Sequence, residues 1–145
     1  MSAGSGLEHS EKNASATDEV NFLQIWVFPK LENISPRYDQ KLFSADDRQD
    51  KFQTVVSPER NEKSLWINQD AWFSLGNLKK GRTTEYSIQK KGNGIYAFII
   101  EGDASLNEMK LNKRDGLGVW ETDKLSITTD SDAEVLLIEV PMTEK

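Results

Sequence analysis

GIYAFIIEG, residues 94–102, is the stretch on which the fold turns. On an extended chain Ile95, Ala97 and Ile99 fall to one side and Tyr96, Phe98 and Ile100 to the other, so both faces are apolar and the strand belongs deep in the molecule. On either side of it the same punctuated pattern runs from residue 52 onward: FQTVVS, SLWIN, AWFSLGNL, EYSIQ, then ASLN, EMKLN, GLGVWET, KLSITT and EVLLIEVP. Turn formers separate these runs at Ser57-Pro58, Asn68-Gln69-Asp70, Lys80-Gly81, Gly92-Asn93-Gly94, Asp115-Gly116 and Asp130-Ser131-Asp132. In KLSITT only Leu125 and Ile127 alternate with polar neighbours, which predicts a half-exposed strand. No segment carries a sustained helical stripe, and Ser44 to Lys51 offers at most a short helix. Ten short strands in one domain predict an all-β sandwich or barrel, the arrangement that hides most sheet edges.

Upstream the chain changes character. Residues 1–20 are small, polar and charged and cannot form a core alone. At Asn21 the composition switches to NFLQIWVFP, an apolar run ended by Pro29 that predicts a strand covered on both faces, either central or between two layers. Residues 30–50, with Pro36 and the run SADDRQDK, predict a long surface connection.

Length and composition fit one ordinary domain with a short appendage, 37% hydrophobic against 29% charged. No apolar run approaches the ~18 to 20 residues of a spanning helix, no secretory signal opens the chain, and there is no cysteine for disulfides or thiolate sites. The expected address is cytoplasmic, without a membrane. A net charge of −6 argues against direct nucleic-acid binding, and the basic groups Lys79, Lys80, Arg82 and Lys90, Lys91 sit at turns. Asp46, Asp47 and Asp50 lack the glycine and closing glutamate of a calcium loop.

The chemistry-bearing candidates are few. His9, the single histidine, stands two residues from Glu11, so on extended backbone both side chains point the same way, as neighbouring ligands of one ion must. A mononuclear oxygenase iron takes two imidazoles and a carboxylate, and one imidazole cannot supply that set. The pair reads either as half a metal site or as polar residues on a loose arm; no catalytic residue is assigned. Trp26, Trp66, Trp72 and Trp120, with Tyr38, Phe73, Tyr86, Tyr96 and Phe98, read first as core filling and second as a pocket for a flat aromatic ligand. Trp72 beside Phe73 predicts that at least one of the two rings faces outward or toward another domain. In SPRYDQK, Arg37, Tyr38 and Gln40 are available for recognition, although Pro36 makes the segment first a turn.

The combination of SAGSGLEHSEKN, FLQIWVFPK, SPRYDQKLF, VVSPERNEKSLWINQDAWFSLGNL and DAEVLLIEVP resembles the C-terminal portion of the pirin family, two-cupin proteins related to bacterial quercetinases. The resemblance covers nearly the whole chain and implies a cupin-type jelly-roll β-sandwich or barrel with an extended N-terminal arm. It implies that residues 1–20 are the remnant of a first cupin's metal-motif region and residues 21–145 a C-terminal pirin-like cupin. It also implies that about 100 residues of the first barrel have no counterpart here. His9 and Glu11 match the later ligand pair of the family's metal site, with Gly6, His9 and Asn13 fitting its G-x-x-H-x-x-x-N motif; the earlier H-x-H pair is missing. In the second cupin only Glu121 and Asp123 stand near where a catalytic cupin places ligands.

Two functions follow from the resemblance. One is a cupin domain without catalysis of its own, with a binding or structural and regulatory role and self-association or a protein partner. The other is part of a metal-dependent quercetin 2,3-dioxygenase-like enzyme. There Fe(II) or another divalent transition metal is completed by ligands from a missing cupin, and the substrate is a flavonoid-like small molecule. If the run beginning near Phe22 packs against an absent barrel, the chain exposes apolar area around it and dimerises or swaps arms.

Overall fold

In this computed structural model, which describes residues 1–142, the run AEVLLIEVP becomes β10 (Ala133–Pro141), a central strand of a six-stranded sheet. It pairs antiparallel with β3 (Trp72–Leu78) on one side and β5 (Asn93–Glu101) on the other, with Leu137 opposite both Ser74 and Ala97. β1 (Phe52–Ser57) joins β3 antiparallel, and β2 (Leu65–Trp66) closes that edge in parallel with β1. β8 (Gly116–Val119) closes the other edge against β5. The second sheet runs β4 (Thr83–Ser87), β9 (Lys124–Thr129), β6 (Ala104–Leu106) and β7 (Met109–Leu111). These are the ten strands expected, and the all-β jelly-roll class holds. Between Ser44 and Lys51 the chain makes one 3-10 turn, Ala45–Arg48, capped by the Ser44 side chain accepting from the Asp46 N–H.

The core lies between the sheets. Ile95, Ala97 and Ile99 meet Leu106, Leu125 and Ile127, and none of the six is more than 2% exposed. Leu125 and Ile127 come from KLSITT, whose alternate residues are exposed or half-buried as expected. The turn after β5 closes tightly: Gly102 has φ +77°, and a Cβ there would stand 2.2 Å from the Asp132 carbonyl oxygen. Only glycine combines that backbone with that approach.

A second apolar cluster covers the outer face of the six-stranded sheet, where Val55, Phe73, Leu136 and Ile138 are joined by half-buried Phe98, Ile100, Val27 and Phe43. This second layer buries Phe73, and Trp72 on the opposite face of the strand is buried as well, at 9% and 8% exposure, so neither ring faces outward as the sequence predicted. Adjacent rings on a strand covered on both sides need no solvent-facing partner.

The strand expected over NFLQIWVFP does not form. A strand needs a neighbour along its length to take its alternating N–H and C=O groups. Here the backbone tie is Lys30 N–H to the Asn68 carbonyl, 2.7 Å, helped by the Asn68 amide on Leu31 O and the Gln69 amide on Phe28 O. The run lies along the β2–β3 connection without joining either sheet. Among the described residues no helix is long and apolar enough to cross a membrane.

Candidate functional site

His9 and Glu11 sit on the arm rather than in the barrel. Upstream, Ser2 and Arg37 exchange backbone hydrogen bonds of 2.9 and 3.1 Å, and Gly6 N–H closes a turn on the Ala3 carbonyl. Gly4, at φ +57°, passes so near the backbone of Ile34 that a Cβ would stand 2.0 Å from its carbonyl oxygen. Downstream, Asn13 builds a second turn: its amide donates to Asp18 O at 2.6 Å and its oxygen accepts from Ser15 N–H. Between these turns His9 Nε2 and Glu11 Oε1 stand 3.6 Å apart, with 38% and 48% of their side chains exposed.

That spacing fits a shared cation. Two donors each about 2.1 Å from one ion can stand at most about 4.2 Å apart. Imidazole nitrogen with carboxylate oxygen is a donor set suited to first-row divalent metals. The pair therefore fits as two ligands of a larger set. Among the described residues no third His, Cys, Asp or Glu joins it. Asn13 is engaged in its own turn, and Glu121 and Asp123 are exposed in the β8–β9 connection.

Inside the barrel the arrangement is different. The inner residues of β10 run Val135, Leu137, Glu139, and all three are fully buried. The Glu139 carboxylate accepts from Tyr86 Oη (3.0 Å), from the Gln89 and Lys90 N–H groups (2.9 and 3.0 Å) and from Asn93 Nδ2 (2.8 Å). Burial, with the adjacent Glu139 charge and hydrogen bond, pushes the Tyr86 hydroxyl well above the usual phenol range. The cluster fastens the β4–β5 connection to the central strand. Reading the sequence for ligands passes over Glu139; the signal was a charged residue on the inward phase of EVLLIEVP.

Asp70 links the β4–β5 connection to Lys30, just past the 21–29 run. Its carboxylate pairs with Lys30 at 2.8 Å and with Lys90, and these partners, Lys30 first, hold it below the usual carboxylate range. Asn93 donates to the Asp70 carbonyl at 3.1 Å as well. Lys30, Asp70, the β4–β5 connection and buried Glu139 thus form one connected set.

The aromatics do not converge on a cleft. Trp72, Phe73 and Tyr86 are buried, whereas Trp26 is 88% and Phe28 93% exposed, beside exposed Val20, Phe22 and Leu23. An open trough of about 470 Å³ on the second sheet is lined by Ser105, Asn107, Glu108, Ser126 and Thr128, with no ring among them. The exposed apolar side chains of residues 20–28 form no cleft either.

Comparison with known proteins is consistent with this architecture. Residues 54–140 match the family model described as the quercetinase C-terminal cupin domain. The chain is 36% identical over 141 residues to a quercetin 2,3-dioxygenase of Escherichia coli K12, covering 97% of this chain and 59% of that protein. The crystal structure of YhhW from Escherichia coli superposes with a TM-score of 0.75 at 31% identity, covering 83% of this chain and 50% of that one. A nickel(II) complex of the same bacterial pirin gives 0.72 at 31% identity, covering 79% and 48%. The chain thus spans about three fifths of the length of the curated relatives it matches.

Proposed function

The chain belongs to the pirin family through its quercetinase C-terminal cupin domain, and we propose that it works as a binding module of that family, without catalysis of its own. One observation carries this reading: the space between the sheets is filled by Ile95, Ala97, Ile99, Leu106, Leu125 and Ile127, none more than 2% exposed. Among the described residues, side chains that fill this space hold the two sheets together and leave no room between them for a flavonol. A run of outward-facing apolar side chains lies over residues 20–28. Val20, Phe22, Trp26 and Phe28 offer apolar area to a protein partner or a second copy.

A second reading is favoured by the His9–Glu11 spacing of 3.6 Å. In it the two residues hold a divalent transition metal together with donors from another cupin, as part of a quercetin 2,3-dioxygenase-like enzyme. A metal so held would supply Lewis acidity and open positions for oxygen and substrate. His9 would offer an imidazole nitrogen and Glu11 a carboxylate oxygen from the stretch between the turns at Gly6 and Asn13.

Oxygen consumption with quercetin and Fe(II) or Ni(II), measured after adding a separately produced N-terminal cupin of a family relative, separates the readings. The binding-module reading expects the chain to add nothing to the rate given by the metal and that cupin, and His9→Ala to change nothing. Turnover that is abolished by His9→Ala would establish the enzyme reading. Light scattering on a sizing column tests the binding face: mass rising with concentration is expected, and a clean monomer throughout contradicts it.

A further inference from the structure

Trp66 lies on the two-residue edge strand β2, and two guanidinium groups approach its ring, Arg60 at 4.3 Å and Arg37 at 5.0 Å from the centroid. Arginine stacks on indole because its delocalised, weakly hydrated charge meets the negative face of the ring. Arg37 is held further by Asp39 at 3.3 Å and by the Trp66 carbonyl, to which its Nη1 donates at 3.4 Å. Arg60 comes from a β1–β2 loop that is itself braced. Asn61 Oδ1 accepts from the Lys63 and Ser64 N–H groups at 2.8 and 3.1 Å, and the Ser57 and Ser64 hydroxyls meet at 2.7 Å in the interior.

Arg37 is also the residue whose backbone exchanges hydrogen bonds with Ser2. Met1 and Ser2 border a cavity of about 20 Å³ against Arg37, Asp39, Leu65 and Trp66, so the first residues are seated on this cluster. From Gly6, where the seated turn ends, three residues reach His9 and span at most about 10 Å. The barrel's edge therefore governs where the His9–Glu11 pair lies.

Resting on the metal reading given above, we infer that Arg37, Trp66 and Arg60 are positioning residues: they anchor the stem that carries His9 and Glu11 and fix the place of a bound divalent cation relative to the cupin barrel. The anchor does not set the intrinsic affinity of the pair, which is local to residues 9 and 11. It sets the location.

The test is an amide NMR spectrum of the full chain titrated with Ni²⁺ alone, whose paramagnetism broadens amides near the ion. In the wild-type chain, broadening is expected at residues 9–11 and also at 36–38 and 65–67. In Trp66→Ala and in Arg60→Ala it contracts to the neighbourhood of His9, and Trp66→Phe, which keeps a ring face for the guanidiniums, restores it. Unchanged amide positions in β3 and β10 show that the barrel of each variant is intact. Without metal, slow exchange of the Ser2 and Arg37 amides is lost in Trp66→Ala and kept in Trp66→Phe. The two readings fail separately. A footprint that survives His9→Ala contradicts the metal reading and with it the role of the anchor. A footprint that depends on His9 but is the same in Trp66→Ala overturns the anchor alone.

Discussion

Two stretches of this chain read almost alike and behave oppositely. NFLQIWVFP, residues 21–29, and AEVLLIEVP, residues 133–141, are both nine-residue apolar runs ended by proline. The second is a central strand whose Val135 and Leu137 are fully buried, whereas the first forms no strand and leaves Trp26 and Phe28 88% and 93% exposed. The difference lies in neighbours. β10 pairs with β3 over Ala133–Glu139 and with β5 over Glu134–Pro141, whereas residues 21–29 pair with no strand and are held by Val27 on the outer cluster and by the Gln69 amide on Phe28 O. Apolar composition creates the demand for burial, and pairing decides whether the chain can satisfy it.

The contrast is sharpened most by Leu137→Ala, a truncation at a fully buried position, expected to cost about 2–5 kcal/mol in urea unfolding. Glu139→Ala comes next. It strands the Asn93 amide, the Tyr86 hydroxyl and two backbone N–H groups, and is expected to cost about 3 kcal/mol in the same measurement. A stable Glu139→Ala variant would mean that water readily takes over these bonds.

Much of the barrel is legible in the sequence because it repeats a simple rule. The alternation of Ile95, Ala97 and Ile99, and of Leu125 and Ile127, places each strand, and turn residues such as Gly102 and Asp115-Gly116 punctuate them. What is not legible depends on packing above and below the sheet. Trp72 and Phe73 are both buried because a second cluster covers the outer face, which local alternation does not reveal. Glu139 reads as one more charge near a strand end until its inward phase is counted. At the candidate site, the spacing of His9 and Glu11 shows in the sequence, while the Arg37–Trp66–Arg60 cluster joins residues far apart in the chain and needs the fold to bring them together.

Smaller effects probe the arm. Asp70→Asn removes one charge from pairings with Lys30 and Lys90 that stand near the surface and is expected to cost about 1 kcal/mol or less. Its pH dependence has a definite sign. The folded carboxyl lies below its ordinary value of 3.8, so its contribution is present above that pH and lost as the pH falls through the lowered value. The Lys30 amide, bonded to the Asn68 carbonyl, should therefore lose exchange protection in acid earlier than the amides of β10, and Asp70→Asn should flatten that acid response. The smallest stability change belongs to Trp26→Ser, within about 0.5 kcal/mol in dilute solution. The same substitution should weaken self-association, read by light scattering.

Amide hydrogen exchange at two protein concentrations separates a two-sheet core complete in one molecule from an apolar run, residues 21–28, available to a second copy. Residues 133–141 should be protected equally at both, while residues 21–28 exchange freely when dilute and gain protection when concentrated. Strong protection of residues 21–28 at high dilution would contradict the account, because the arm would then be part of the core of a single molecule.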